Sequence, residues 1–238
     1  MTSIDISVIL STFNRADLLP GAIDAFLQQE TQGVTFEVIL VDNNSTDNTR
    51  GVVSNYVRSH PGLIKYIFEP KQGLSHGRNA GIANANGNIL AFTDDDVRVH
   101  SNWISGLYEA FNAYPDAVYI GGKVLPLWRT SKPKWANPQL SSFALQDYGK
   151  EPKTIDHNYQ RCLIGANLAC RKGLIERIGG FDPATQRVKD GIGSNGGPRM
   201  ADEDLDGRFA WKIRSRRSSV HAGAIGAPSQ KLSQGMAF

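Results

Sequence analysis

The sequence predicts an α/β protein with a mostly parallel, Rossmann-like sheet and helices on both of its faces. Short, almost uninterrupted apolar runs alternate with segments whose apolar residues recur at helical spacing, which is typical of a parallel sheet covered on both sides. The length of 238 residues suits one large domain, and the 40% hydrophobic and 21% charged residues are typical of a globular chain. No apolar run reaches the roughly 18 residues that a membrane span requires.

The apolar pattern places the elements in order along the chain. Strands are expected over residues 4–10, 36–41, 63–68, 88–92, 117–124 and 162–170. Helices are expected over residues 18–27, 74–85, 103–111 and 174–178, in a segment that Ser45 caps and that contains Val52 to Val57, and from about residue 202 to residue 213. Residues 126–160 lose this periodicity and are expected to form a long surface excursion.

Polar residues follow several of the apolar strands directly. Ligands of open parallel sheets bind outside the carboxyl ends of the strands, so these residues are the first candidates for a site. They are Ser11 to Asn14, Asp42 to Asn44, Glu69 and Asp94 to Asp96.

The three adjacent carboxylates Asp94, Asp95 and Asp96 form the strongest local signal. They repel one another, and a hard divalent cation such as Mg²⁺ or Mn²⁺ would relieve that repulsion. In extended backbone Asp94 and Asp96 point to one side and Asp95 to the other, which makes the first two the natural metal pair. A solvated turn that caps a following helix is the alternative.

Two further segments suit a phosphorylated, hydroxyl-bearing ligand. Asp42 ends an apolar strand at the predicted ligand edge, where its carboxylate can accept hydrogen bonds from a base or a ribose. Gly73 to Gly81 begins a helix, and its Arg78 can pair with a phosphate unless it is simply exposed to solvent. A second acidic cluster, residues 202–206, either caps a helix or supplies a general base.

Together these segments resemble the inverting glycosyltransferases of family 2, which have the GT-A fold. The resemblance extends over residues 5–213, and its motifs are specific because they occur as an ordered set. The matching segments are residues 7–15, 41–47, 73–81, 92–96, 164–169 with 178–182, and Glu203-Asp204. The resemblance implies a GT-A-like catalytic domain over residues 1–213. Past Asp204 the chain departs from the family pattern and looks short or altered.

The resemblance also implies a role for each candidate residue. A nucleotide-sugar donor would be bound by Thr12, Asn14, Asp42, Arg78 and Asp95, and a Mn²⁺ or Mg²⁺ ion by Asp94 and Asp96. Asp204 would be the general base with Glu203 beside it, Asn167 would lie on the acceptor side, and His221 is a weaker candidate metal ligand.

The expected function is metal-dependent, inverting transfer of a sugar from a UDP- or GDP-linked donor to a glycan or lipid-linked acceptor, in cell-surface polysaccharide synthesis. Two alternatives stay open. One is a sugar-nucleotide-binding module without activity, owing to a truncated C-terminus. The other is a nucleotidyl- or phosphotransferase that uses the same acidic strand ends.

The C-terminal residues 214–238 are expected to form a poorly ordered, basic tail. No acidic residue follows Asp206, and basic and aromatic residues alternate over residues 208–217. This pattern predicts peripheral contact with the inner face of a membrane. The absence of a signal-peptide pattern and the presence of only two cysteines predict a cytoplasmic protein. The balanced charge of the body argues against a nucleic-acid partner.

Overall fold

The computed structural model describes residues 3–127, 145–147, 149, 151–155, 163–183, 222–224 and 232–234. The strands are β1 (Ile6–Thr12), β2 (Phe36–Asp42), β3 (Ile64–Phe68), β4 (Ile89–Asp94), β5 (Val97–Arg98), β6 (Tyr119–Gly121), β7 (Leu125–Leu127), β8 (Lys153–Ile155), β9 (Leu168–Arg171), β10 (Ala222–Ala224) and β11 (Leu232–Gln234). The α-helices are α1 (Leu19–Leu27), α2 (Thr49–Ser59), α3 (Leu74–Ala83), α4 (Trp103–Ala113) and α5 (Lys172–Ile178).

The main sheet has the strand order β3-β2-β1-β4-β9-β6-β10-β8. Strands β3, β2, β1 and β4 run parallel, and β9 joins β4 antiparallel. The strand order therefore reverses between β1 and β4, which makes the carboxyl ends of these two strands the topological switch point where ligands of such sheets bind. A small sheet of order β5-β11-β7 lies apart from the main one. The predicted α/β fold with a mostly parallel sheet is confirmed.

Each face of the sheet has its own apolar core. Alternate residues of β1 and β2 bury against α1, α2 and α4 on one face, where Trp103 and Phe26 are among the largest buried side chains. The residues between them bury against α3 and α5 on the opposite face, around Phe92 and Phe181. Because successive side chains of a strand point to opposite faces, the polar residues at the strand ends also divide into two groups, one on each face of the sheet.

Helix α3 packs unusually close to β1, because glycines face the strand. A Cβ atom on Gly77 would lie 2.2 Å from Ser11 Oγ, and one on Gly81 would lie 2.4 Å from Ile9 Cγ2. Only residues without a Cβ allow this approach. The close packing brings the middle of α3, with Arg78, to the carboxyl end of β1.

Two local predictions from the sequence differ from the structure. Helix α2 begins at Thr49, and Asp47 rather than Ser45 accepts a hydrogen bond from the Thr49 N–H, at 2.9 Å. The strand predicted over residues 162–170 is present but was given the wrong bounds, because Gly165–Asn167 form a 3-10 turn and Leu168–Arg171 pair as the strand. The apolar run of this segment comes from buried turn residues as well as from the strand.

Two segments of the predicted tail fall within the described residues, and both are short strands. Ala222–Ala224 pairs with β6 and β8, and Leu232–Gln234 pairs with β5 and β7. The helix expected over residues 202–213, with Glu203 and Asp204, and the candidate ligand His221 lie outside the described residues. Within the described ranges, no helix combines the length and the apolarity needed to cross a bilayer.

Candidate active site

The structure brings the polar strand ends into one row at the switch point. Thr12 is paired with Asp42 across β1 and β2, and Ser11 is paired with Asp94 across β1 and β4. This grouping is the one that the sequence predicts from the carboxyl ends of parallel strands.

Thr12 and Asp95 are bonded directly on the α1 and α4 face. Thr12 Oγ1 donates to Asp95 Oδ2 at 2.6 Å, and both residues are buried. Burial raises the pKa of Asp95 to about 7; the Thr12 hydrogen bond opposes this rise, whereas the neighbouring charge of Asp96 adds to it. Asp95 is therefore a carboxyl group whose charge changes near neutral pH.

Asp42 is buried with both carboxylate oxygens engaged. Its Oδ1 accepts from the Ser45 N–H at 2.9 Å, and its Oδ2 accepts from the Tyr66 hydroxyl at 2.8 Å. Burial and the bond to Asp42 raise the pKa of Tyr66 to about 12, so the phenol stays protonated and keeps donating. A ligand would reach Asp42 through the remaining lone pairs of these oxygens. No local pattern marks Tyr66 as part of the site, since it lies in the middle of β3.

Asn14 joins the loop after β1 to the loop after β2. Its backbone is left-handed, at φ 51°, and its N–H donates to Ser45 Oγ at 3.0 Å. Its Oδ1 accepts from the Thr46 N–H at 2.7 Å, and Asp47 Oδ2 accepts from the Ala16 N–H at 3.0 Å. Asn14 is exposed at the predicted pocket, and the bonds in which it takes part hold the pocket's two loops together.

Arg78 lies on the α3 face, beside the end of β4. It is 3% exposed, and its Nη2 is 4.0 Å from Asp94 Oδ1. Its guanidinium carbon lies 5.2 Å from the Phe181 ring centre and 6.0 Å from that of Phe92. The sequence identified Arg78. Of the two aromatic side chains beside it, Phe92 belongs to the next strand, β4, and Phe181 to a segment far along the chain. Phe181 belongs to the Gly-Gly-Phe-Asp segment, which was the available signal.

Asn43 fixes the segment that leads into α3. Its Oδ1 accepts from the Gly73 N–H at 2.6 Å, and its Nδ2 donates to the Lys71 carbonyl at 2.7 Å. The start of α3 is therefore held against the end of β2 by a side chain next to Asp42 in sequence. The sequence identified Asn43 only as one of the polar residues that follow a predicted strand, and the structure shows that its side chain braces the start of α3.

Asn167, expected on the acceptor side, is 1% exposed and makes structural bonds. Its Oδ1 accepts from Trp103 Nε1 at 2.8 Å, and its Nδ2 donates to the Lys123 carbonyl at 3.0 Å. These contacts tie α4, the 3-10 turn and the segment after β6 together. A contact with an acceptor stays a prediction for this residue.

The acidic run departs from the geometry that the sequence argument assumed. Strand β4 ends at Asp94, and Asp95 and Asp96 form a turn before β5. The premise of extended backbone through Asp96 was therefore wrong, because the chain reverses there. Among the described residues, no three His, Cys, Asp or Glu side chains are gathered closely enough to hold a metal ion. The carboxylates of Asp94 and Asp96 are still the hard oxygen ligands that Mg²⁺ and Mn²⁺ prefer.

Comparison with known proteins identifies relatives over most of the described region. A sequence model of the family described as "Glycosyl transferase family 2" matches residues 7–179, more than half of the chain. A glucosyl-dolichyl phosphate glucuronosyltransferase of Haloferax volcanii is 25% identical over 190 residues, covering 78% of this chain and 58% of that protein. An uncharacterized glycosyltransferase of Nostoc sp. is 30% identical over 193 residues, covering 77% of this chain and 56% of that protein. The chain thus spans somewhat more than half the length of these relatives.

Solved structures share the fold. The mannosyltransferase PcManGT from Pyrobaculum calidifontis, in complex with GDP-Man and Mn²⁺, matches with a TM-score of 0.58 and 22% identity, over 76% of this chain and 48% of that one. Residues 1–349 of S. aureus TarS, in complex with UDP, match with a TM-score of 0.59 and 19% identity, over 78% of this chain and 52% of that one. These neighbours are GT-A glycosyltransferases, so the predicted GT-A fold is confirmed.

Proposed function

The chain belongs to glycosyl transferase family 2, and we propose that it moves a sugar from a nucleotide-sugar donor to a hydroxyl group of a glycan or lipid-linked acceptor. One observation carries this proposal. The polar ends of β1, β2 and β4 meet at the switch point, with hydroxyl, carboxylate and guanidinium groups within one row.

The donor would lie across this row. On the α1 and α4 face, Thr12, Asn14, Asp42 and Asp95 offer oxygen acceptors and donors suited to a base and a ribose. On the α3 face, Arg78 offers a guanidinium group beside Asp94, suited to the diphosphate. UDP and GDP are the nucleotides that we propose, since two neighbours of the same fold were solved with UDP and with GDP-Man.

Asp94 and Asp96 would hold a divalent cation against the donor diphosphate. Such an ion, when bound, neutralises the negative charge that develops on the leaving group. Carboxylate oxygens at a turn next to a phosphate site suit Mg²⁺ or Mn²⁺. Support for Mn²⁺ comes from the neighbour solved with GDP-Man and Mn²⁺.

The acceptor would be activated by Asp204, with Glu203 beside it, and Asn167 would face the acceptor side. A positioned carboxylate takes the proton from the acceptor hydroxyl as that oxygen attacks the sugar. A single displacement of this kind inverts the anomeric centre. Asp204 and Glu203 lie outside the described residues and beyond residues 7–179, which the family model matches. Their assignment is supported by the resemblance of the Glu203-Asp204 pair to the acidic pair of the family.

The proposed acceptor class and place of reaction are supported by a relative and by the charge pattern of the chain. A relative is named for its glucosyl-dolichyl phosphate substrate, which is a lipid-linked sugar. In this chain, basic residues alternate with Phe209, Trp211 and Ile213 over residues 208–217. Aromatic side chains settle at bilayer interfaces, and each nearby basic residue adds about 1 kcal/mol at an anionic surface. We therefore place the enzyme in the cytoplasm, in peripheral contact with the inner face of the membrane, in cell-surface polysaccharide synthesis.

Donor hydrolysis and transfer, measured for a panel of UDP- and GDP-sugars with Mn²⁺, test the proposal. Release of UDP or GDP is expected, whereas release of pyrophosphate would indicate a nucleotidyltransferase. Tight binding without turnover would indicate a non-catalytic module.

Two variants separate the proposed roles, with Asp116→Asn as a matched control at an exposed aspartate. Asp96→Ala should weaken Mn²⁺-dependent binding of the nucleoside diphosphate. Asp204→Asn should lower turnover by roughly 10²-fold while nucleotide affinity stays near that of the wild type. Normal turnover of Asp204→Asn would remove Asp204 from the role of base, and unchanged affinity of Asp96→Ala would move the metal elsewhere.

A further inference from the structure

Arg78 packs against two neighbouring aromatic rings and is shielded from water. Its guanidinium carbon is 5.2 Å from the ring centre of Phe181 and 6.0 Å from that of Phe92. The two rings themselves meet edge to face, with their centres 5.4 Å apart and an interplanar angle of 76°. A cation over an aromatic face is attracted by the ring, and the attraction grows when water is excluded. Arg78 is 3% exposed, so this condition is met.

Phe181 is fixed in turn by Asn79, the residue after Arg78. Asn79 Oδ1 accepts from the Phe181 N–H at 2.8 Å, and Asn79 Nδ2 donates to the Phe181 carbonyl at 2.9 Å. The backbone of Gly180 is left-handed, at φ 76°, and a Cβ atom there would lie 2.6 Å from Asn79 Oδ1. The side-chain amide thus replaces a strand partner for Phe181, and glycine is the residue that fits beside it.

We propose that Asn79 and Phe181 are positioning residues that aim the guanidinium group of Arg78 at the donor diphosphate. The guanidinium group is planar and carries its N–H donors at its edge, so the contact with the rings restricts the directions in which these donors point. One of these edges lies 4.0 Å from Asp94, at the ligand end of β4. The hydrogen bond between Asn79 and Phe181 connects α3 to the segment after α5. The orientation of the Arg78 guanidinium group therefore depends on a contact between residues 102 positions apart in the sequence.

This inference rests on the proposed function, because it takes the diphosphate as the group that Arg78 binds. The chain also offers a structural counterpart for comparison. Arg171 lies 5.0 Å from the Phe111 ring centre, and its nitrogens donate to the carbonyls of Phe111, Ala117 and Pro115. The guanidinium group of Arg171 donates to backbone carbonyls only in these contacts. Loss of the Phe111 ring beside it should therefore affect stability alone.

The test compares the affinities for a nucleoside diphosphate and for its nucleoside, by calorimetry with Mn²⁺ on the full chain. UDP with uridine and GDP with guanosine are the probes. Phe181→Leu and Asn79→Ala should each lower diphosphate affinity about tenfold and leave nucleoside affinity unchanged. Phe181→Tyr keeps the ring and should retain most of the affinity. The control Phe111→Leu should lower the melting temperature without changing the ratio of the two affinities.

A second measurement reads the position of Arg78 without any ligand. The ¹⁵N-detected Nε–Hε resonance of Arg78 should shift in Phe181→Leu and in Asn79→Ala, because the ring current and the fixed geometry are lost. If Arg78→Gln lowers diphosphate affinity while Phe181→Leu and Asn79→Ala leave it unchanged, the positioning role is refuted and the proposed function stands. If the wild type binds neither diphosphate, the proposed function fails. An unshifted Arg78 resonance in both variants would overturn the positioning by itself.

Discussion

Asp95 gives the fold a stability that falls as the pH rises through neutrality. Its pKa in the folded chain is about 7, against an ordinary value of 3.8, chiefly because the carboxyl group is buried. Between these two pKa values the folded chain binds a proton that the unfolded chain has released. Stability therefore decreases with increasing pH in this window. Asp95→Asn should abolish that decrease, since the neutral amide replaces the protonated acid and can still accept the Thr12 hydrogen bond.

The size of the effect follows from the two pKa values. At pH 5 the folded carboxyl is almost fully protonated, and at pH 8 it is mostly ionised. The linkage relation then gives a loss of about 2.5 kcal/mol in the free energy of unfolding of the wild type between pH 5 and pH 8. With a urea dependence of roughly 2 kcal/mol per molar, the unfolding midpoint should fall by about 1 M.

Urea unfolding of the metal-free chain at pH 5 and at pH 8 measures this difference. The wild type and Asp95→Asn are compared with the control Asp116→Asn. Asp116 is an exposed aspartate shortly after the C-terminal end of α4. The control should follow the wild type at both pH values, whereas Asp95→Asn should lose about 2.5 kcal/mol less than either. Equal pH dependence of the wild type and Asp95→Asn would refute the buried, protonated state of Asp95.

Two further predictions concern other parts of the chain. Glu37, 1% exposed, accepts hydrogen bonds from Ser7 Oγ at 2.6 Å and the Asn86 N–H at 2.7 Å, and it pairs with Lys65. Glu37→Ala should cost about 3 kcal/mol of unfolding free energy at pH 7, while Glu176→Ala on the exposed face of α5 should cost little. Burial acts to raise the pKa of Glu37, but the hydrogen bonds from Lys65, Ser7 and Asn86 together lower it. The difference in unfolding free energy between Glu37→Ala and the wild type should therefore narrow as the pH falls through that pKa. The basic segment at residues 208–217 is tested by co-sedimentation with vesicles. The chain should sediment with vesicles that contain anionic lipid at low salt and stay in the supernatant at high salt. Equal sedimentation with neutral vesicles would contradict that contact.

Much of the fold was accessible from the sequence because strand periodicity and helix periodicity are local. The continuous apolar runs of β1, β2 and β4 specified buried parallel strands, and the polar residues after them specified the edge where the site lies. The antiparallel strand β9 was placed in the right segment but given too many residues. Its preceding turn buries Gly165, Ala166 and Asn167, and burial gives a turn the same apolar signature as a strand.

The sequence predicted which residues belong to the site, but it did not predict the contacts between them. Asp42, Arg78 and Asp94 carry their chemistry in their own side chains, so a local pattern was enough to identify them. Tyr66 and Phe181 act on those residues through contacts 24 residues or more away along the chain, which no local pattern encodes. Asp95 illustrates the same limit, since its raised pKa depends on burial and on Thr12, 83 residues earlier.

Successive side chains of the central strands point to opposite faces of the sheet, so a few residues at the strand ends place polar groups on both faces. Ser11 and Thr12 are adjacent in β1 and face opposite sides of the sheet, as Thr12 bonds Asp95 and Ser11 lies under Gly77 of α3. Asp94, the last residue of β4, lies beside Arg78, whereas Asp95, in the turn that follows, accepts the hydrogen bond from Thr12. Two consecutive residues at the end of each strand therefore serve both faces, and the switch point is where the faces meet. A change of one residue in the register of β4 would exchange these partners. Because Arg78 belongs to α3, the close packing of Gly77 and Gly81 on β1 is what brings its guanidinium group to this edge of the sheet.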